Sequence, residues 1–330
     1  MIRRNLIWVI QKSLLYLIYI LKIRNREISA RKVQLNSINV LDASDELIGI
    51  DHYKILPGRE YRKILEISHS ILNPKTGVVR VKKDILKESS LWDHSDLVNW
   101  EPNPMFYKKI SGNYSILPDN GYYHFLIEDL PRFIEVNKTV KNCRTIAGSN
   151  ASYLTQALDF LNPNNYSIFL SPVKVEKIFL SEKNAKVLFS VNDLNLIKEA
   201  FLPHIKVGNK SIFISRKDLR GKKFDSRGIN SKEVIERVFL ENGFDIIYFE
   251  DLSLLEQVAT SSGAKNIAGF HGAGLANIVW AAPNSNIIEV SNTRITRHFE
   301  HVSEICSHKY SLFSTAQSIE ILEKIIKNHN

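Results

Sequence analysis

Between residues 211 and 290 short β-branched runs alternate with stretches of helical spacing, and this alternation restricts the chain more than any other feature. SIFIS (211–215), FDIIYFE (244–250), NIAGF (266–270) and NIIEV (286–290) read as strands. SKEVIERVFLENG (231–243), LSLLEQVATSSG (252–263) and AGLANIVWAA (273–282) read as helices, the first opened by a serine and closed by Gly243. Strands separated by helices of about ten residues need right-handed crossovers, so the spacing predicts a parallel, doubly wound α/β sheet with helices on both faces. TAQSIEILEKIIKN (315–328) is amphipathic and is expected to pack back onto the first half.

The first half, about 33–185, mixes short apolar runs with turn signals such as LPGRE, NPKTG and EPNP. GYYHFLIEDLPRFIEVNK and ASYLTQALDFL have helical spacing, while CRTIAG (143–148) and SIFL (167–170) resemble strands. There is no internal repeat or low-complexity tract. A chain of 330 residues suggests about two domains. The divisions expected are a basic segment 1–32, an amino-terminal α/β domain 33–190, a carboxy-terminal Rossmann-like domain 191–310 and a closing helix 311–330.

The net charge of +9 raises nucleic acid or anionic membrane as partners. Its distribution decides between them. Residues 1–32 carry eight basic side chains and one acid, and so hold seven of the nine charges. A nearly neutral body argues against a nucleic-acid surface. Within 5–23, Gln11, Lys12 and Ser13 interrupt the apolar run. Leu6, Ile10, Leu14, Leu17, Ile18 and Leu21 share one helical face opposite Arg4, Gln11 and Lys22. That pattern fits a helix lying on an anionic membrane, with a spanning helix and a docking helix as alternatives, and no small-x-small site suggests a cleaved leader. Two cysteines, Cys143 and Cys306, are too few for a disulfide framework and no Cys/His cluster suggests zinc, so they read as buried apolar groups in a reducing compartment.

Three clusters carry chemistry. In FHGAGLANIV, Gly269, Gly272 and Gly274 allow a sharp turn into a helix whose first N–H groups could form an anion site with His271 donating to a phosphate, or a merely tight strand-to-helix turn in which His271 caps a carbonyl. The string has neither the GxGxxG nor the Walker spacing. Arg216, at the end of SIFIS, could grip a phosphate with two parallel bonds, while Lys217, Lys222 and Lys223 read as a solvated basic loop. Glu289 could accept ribose hydroxyls, and Glu256 could cap the anion loop or face solvent. In the first half His124 and Glu128 share a helical face, beside Asp129, and could serve as a general base for a hydroxyl or form an ordinary i,i+4 pair.

GYYHFLIEDLPRF, ISRKDLRG with RGINSKEVIE, and FEDLSLLEQVATSSGAKNIAGFHGAGLANIVWAAPNSNIIEV together resemble the catalytic region of family 61 glycosyltransferases over about 112–291. The resemblance implies a GT-B architecture, two Rossmann-like domains facing a cleft. It also implies inverting transfer from a nucleotide-sugar donor to a glycan acceptor, with no cofactor and no required metal. By position, His124 and Glu128 match the acceptor-side pair, Arg216 the SR arginine, and His271, Gly272, Ala273, Gly274 and Leu275 the HGAGL turn. Arg227 falls near a second family arginine, with Arg220 as competitor. Glu128 is expected to take the acceptor proton, with His124 orienting it or replacing it.

Small size and few cysteines favour bacterial capsule or O-antigen synthesis on a lipid-linked acceptor, at the cytoplasmic face of the plasma membrane. Two other classes are an inactive sugar-nucleotide or polysaccharide-binding protein of the same fold, and a membrane-surface scaffold.

Overall fold

The structure, a computed structural model, describes residues 40–41, 53–56, 64–81, 84–86, 89, 107–182, 189–202, 208–217, 232–291 and 297–329. The basic segment 1–32, Arg220, Lys222, Lys223 and Arg227 lie outside the described residues. Among the described residues no helix is long and apolar enough to cross a membrane.

The first half contains strands β1 (Val40–Leu41), β2 (Tyr53–Leu56), β3 (Ile64–Leu72), β4 (Val79–Val81), β5 (Asp84–Leu86) and β6 (Lys108–Leu117). A helical stretch α1 follows, made of Tyr122–His124, a π-turn at Phe125–Asp129 and Leu130–Thr139. Next come β7 (Arg144–Ala147), α2 (Ser152–Leu161), β8 (Tyr166–Ile168) and β9 (Val173–Ser181). These strands form one sheet in the order β1-β5-β4-β3-β9-β6-β7-β8, with β2 on β3. It is mixed: β9 runs parallel to β6 but antiparallel to β3, the strands β9, β6, β7 and β8 form a continuous parallel part, and β1 pairs with β5 in parallel at the far edge.

Helix α3 (Val191–Phe201), opened by the Ser190/Asp193 capping box, leads into the second half. There β10 (Lys210–Ser215), α4 (Lys232–Glu241), β11 (Asp245–Tyr248), α5 (Leu254–Ser262), β12 (Ala264–Phe270), a 3-10 helix (Ala273–Trp280), β13 (Asn286–Ser291), α6 (His298–Ile305), β14 (Lys309–Ser314) and α7 (Ile319–His329) follow in turn. The five strands are all parallel in the order β11-β10-β12-β13-β14. The expected doubly wound sheet is therefore present. Its interior strands read as nearly continuous apolar runs because helices cover both faces. Chain order reverses between β10 and β12, which opens a crevice beyond their carboxyl ends.

Three expectations change. The segment after β12 is a 3-10 helix instead of an α-helix. In 3-10 geometry residues three apart eclipse, and Asn277 uses this by donating to the Gly274 carbonyl (3.0 Å) and accepting from Trp280 Nε1 (3.1 Å). α7 packs beside its own sheet, with Leu322 and Ile326 buried among Phe213, Phe239, Ile288 and Phe313, and that cluster includes none of the described residues of the first half. The helix carrying His124 and Glu128 is interrupted by a π-turn, in which the Leu130 N–H reaches back to the Phe125 carbonyl. Pro131 accounts for the interruption, because it has no N–H for the Ile127 carbonyl and its ring would strike that group in a regular helix.

One apolar cluster joins the halves, from Leu117, Phe125 and Leu130 to Ile214, Leu275 and Trp280. Phe201 of α3 meets Trp280 with ring centroids 5.4 Å apart. Cys143 and Cys306 are buried and free, and burial pushes both thiols up to about 12.

Candidate active site

The crevice between β10 and β12 collects the first set of groups. Ile214 pairs with Gly269 across these strands, so Arg216 and His271 leave their carboxyl ends side by side. Arg216 Nη1 donates to the His271 carbonyl at 3.4 Å. Gly272 then takes φ 154° and ψ 176°, a conformation open essentially to glycine alone, and turns the chain into the 3-10 helix. The N–H groups of Ala273 and Gly274 lie in the helix's first turn, where no carbonyl of the helix itself can accept from them, the feature on which a helix-start anion site depends. Leu275 is fully buried and anchors the turn. Gly269 does different work: a Cβ there would lie 3.0 Å from the Ile214 carbonyl oxygen, so it serves strand packing instead of ligand approach.

Glu289 is not placed to accept ribose hydroxyls. It is 1% exposed and both its oxygens are occupied, Oε1 by His271 Nδ1 at 2.5 Å and Oε2 by the Tyr310 hydroxyl at 2.6 Å. Burial, then the bond to Glu289, raises Tyr310 far above the usual phenol range, so it stays a donor. Glu256 does not cap the anion loop either. It closes a capping box on Ser253, accepting from its N–H and hydroxyl at 2.7 Å, and this contact holds its carboxyl below the ordinary range.

Sequence reasoning missed Lys232, at the start of α4, whose ammonium donates to the Arg216 carbonyl at 2.6 Å and lies 5.5 Å from the centre of the Tyr248 ring. Lys217 instead pairs with Asp251 at the surface, 2.5 Å away.

In the first half, His124 Nδ1 donates to Glu128 Oε1 at 2.8 Å. The side chains differ sharply in access: 22% of His124 is exposed against 5% of Glu128. Glu128 Oε2 is buried with no hydrogen-bond partner among the described residues. Asp129 is held by Arg132 Nη1 at 3.2 Å and Asn120 Nδ2 at 3.0 Å, which makes it part of the scaffold.

Rings connect the two sets. His271 lies edge-on to Phe299 at 5.4 Å, Phe299 to Tyr123 at 5.8 Å, and Tyr123 to His124 at 5.4 Å. Beside this row Tyr122 donates to Gln257 Oε1 (2.8 Å) and lies 3.0 Å from Asn277 Oδ1. Gln257 in turn donates to the Phe249 and Leu252 carbonyls. These contacts span 135 and 155 residues, a separation on which local helical spacing carries no information. Among the described residues no group of three His, Cys, Asp or Glu side chains is placed to hold a metal ion.

Two anchored imidazoles, an arginine and a glycine-shaped anion turn stand in one connected region that crosses both halves of the chain. A β-1,2-xylosyltransferase of Arabidopsis thaliana is 30% identical over 142 residues, covering 36% of this chain. The aligned region spans 27% of that protein's own length. The profile of the family Glycosyltransferase 61 matches residues 122–288, which begin at the ring row and run through the anion turn to the strand that carries Glu289. By that match, over half its length, the chain belongs to the Glycosyltransferase 61 family.

Proposed function

We propose that the protein is an inverting glycosyltransferase that moves a sugar from a nucleotide-sugar donor to a hydroxyl of a glycan acceptor. Family membership and the xylosyltransferase relative support the reaction class. The observation that carries the mechanism is the unequal access of His124 and Glu128. A carboxylate only accepts, so the Nδ1 proton of His124 stays on the ring and Nε2 is the basic nitrogen. His124 is then the general base and Glu128 the group that fixes its tautomer, which reverses the order expected from sequence.

The acceptor oxygen attacks the anomeric carbon and its proton passes to His124 Nε2. The bond from that carbon to the diphosphate oxygen breaks on the opposite side. Charge on the departing diphosphate meets Arg216, His271 and the N–H groups of Ala273 and Gly274, fixed donors of the kind whose individual loss costs about 10²–10³ in rate. These groups would serve without a required metal, and Arg227 or Arg220 would add a second guanidinium. On this reading the two halves act as acceptor and donor lobes in a GT-B manner.

The basic, amphipathic residues 1–32 support a place at an anionic membrane surface, on the cytoplasmic side, and a lipid-linked acceptor in bacterial capsule or O-antigen synthesis.

The test is transfer and donor hydrolysis with a panel of nucleotide sugars. His124→Ala should lower kcat about 10²–10⁴-fold and Arg216→Ala about 10²–10³-fold. Wild-type turnover in both variants would sink the assignment.

A further inference from the structure

Glu289 stands between two donors, and one of them, Tyr310, comes from the edge strand β14. We propose that Tyr310 is a positioning residue of the donor site, which fixes the Glu289 carboxylate and, through it, the ring of His271. This deepens the donor-site reading and rests on it.

Strand register brings the two side chains together. β13 and β14 run parallel with Ile287 opposite Tyr310 and Glu289 opposite Leu312, and side chains two apart on a strand share a face. Tyr310 and Glu289 therefore lie on one face, a single pair apart. Ile287, Phe299 and Val302 belong to an apolar cluster against which the Tyr310 ring packs. A carboxylate that is 1% exposed costs free energy there unless donors reach it, and His271 and Tyr310 supply them.

Each contact removes a different freedom. The His271 backbone is held by its N–H on the Val290 carbonyl at 2.8 Å, and Arg216 Nη1 reaches its own carbonyl at 3.4 Å. Neither sets the direction of the ring. That direction comes from Phe299, whose ring centre lies 5.4 Å away, and from Nδ1 donating to Glu289 Oε1 at 2.5 Å. The last torsion of a glutamate is broad and two-fold, so a carboxylate held at one oxygen can still swing about it. The Tyr310 hydroxyl, 2.6 Å from Oε2, holds the second oxygen and stops the swing. The brace holds in either charge state of the imidazole, because a carboxylate only accepts and Nδ1 carries the proton of the shared bond in both.

The phenol keeps its proton for this contact. Burial, then the bond to Glu289, raises Tyr310 far above the usual phenol range. Glu300 on α6 raises it further, but its own oxygens accept from Arg297 at 2.7 and 3.1 Å. A group that meets a ligand does so at a set place only while its rotamer is locked from behind, and Tyr310 is the far end of that lock.

The experiment is a double-mutant cycle of Tyr310→Phe and His271→Ala, read as the Kd of the full chain for inorganic pyrophosphate and for the diphosphates of uridine, guanosine, cytidine and thymidine by titration calorimetry. His271→Ala should weaken binding about 10–100-fold, the range of one charge-assisted hydrogen bond. Tyr310→Phe should weaken it about three- to tenfold alone and less than about twofold in His271→Ala, which has no ring left to brace. Leu312→Ala, opposite Glu289, trims packing without touching the bond, and should lower the urea midpoint while Kd stays within about twofold of wild type. Tyr310→Phe added to Glu289→Leu should also change Kd by less than about twofold, and this pair leaves no buried charge without a donor should the single phenol variant fold poorly. Wild-type affinity in Tyr310→Phe, the same loss in both His271 backgrounds, or a further loss on top of Glu289→Leu overturns the proposal. If none of the five probes binds the wild type, or His271→Ala binds them unchanged, the donor-site reading itself fails.

Discussion

Tyr123 stands edge-on to Phe299, centroids 5.8 Å apart and ring planes at 86°, and this contact sets His124 and His271 at the two ends of one row of rings. Tyr123 lies in the middle of the short stretch before the π-turn and Phe299 sits in α6, so the row closes only when the two halves are packed together. The apolar cluster shared between the sheets holds them in that state.

Edge-on pairs of this kind contribute about 0.5–1.5 kcal/mol beyond their buried area. A double-mutant cycle of Tyr123→Leu and Phe299→Leu, followed by urea unfolding, should therefore show a coupling of that size. Each single variant should also lower kcat more than it raises the donor KM. Strictly additive stability losses would mean that the rings do not act as a pair.

The two glycines before and within the anion turn should separate stability from activity. Gly272→Ala imposes a side chain on a backbone conformation that costs of the order of 1–3 kcal/mol and reorients the N–H groups of Ala273 and Gly274. Diphosphate affinity should fall while the folded core persists. Gly269→Ala instead drives a Cβ to 3.0 Å from the Ile214 carbonyl and 3.1 Å from its Cβ, between β12 and β10. Its main effect should be a lowered urea midpoint, and comparing binding and unfolding for the two proteins checks the distinction.

What the sequence made legible follows from how local each signal is. The alternation from SIFIS to NIIEV marks a parallel sheet because every strand there is an apolar run between helical stretches. β14, KYSLFS, escaped because its mixed polar pattern gives no such run, and its place beside β13 is fixed by pairing alone. His124 and Glu128 could be matched from a spacing of four. His271 and Glu289 are 18 residues apart, and their partnership depends on the β12–β13 register, as that of Glu289 and Tyr310 depends on β13–β14. The π-turn follows from Pro131, a residue visible in the sequence, but helical spacing alone does not say where the helix will widen.

Tyr122→Phe removes a hydroxyl that two amides share. Asn277 Oδ1 keeps Trp280 Nε1 as donor and Gln257 Oε1 keeps Asn277 Nδ2 at 3.2 Å, so neither acceptor is orphaned. The loss should be modest, about 1 kcal/mol. Tyr122→Leu also removes the ring packed at 5.2 Å against Tyr153 and 6.0 Å against Phe125, and should cost clearly more. Equal losses in the two variants, measured by urea unfolding, would place the whole contribution in the hydroxyl.

His308 should give the fold an acid limit at the joint between the halves. Burial, reinforced by the nearby Lys198 ammonium, lowers its ring to about 4 from the ordinary 6.5. Lys198 reaches over from α3 to donate to the Ala281 carbonyl, just past the 3-10 helix, and burial lowers its own pKa. Cys306 beside them stays a neutral thiol. Because the folded ring binds its proton less readily than the unfolded one, the stabilisation is complete above pH 6.5 and is lost as pH falls toward 4. At pH 5 the loss attributable to this one group is about 2 kcal/mol. Urea unfolding at pH 7.5 and pH 5 should therefore show a drop in the wild type that is smaller by about this amount in His308→Leu. The same drop in both proteins would remove His308 as its source.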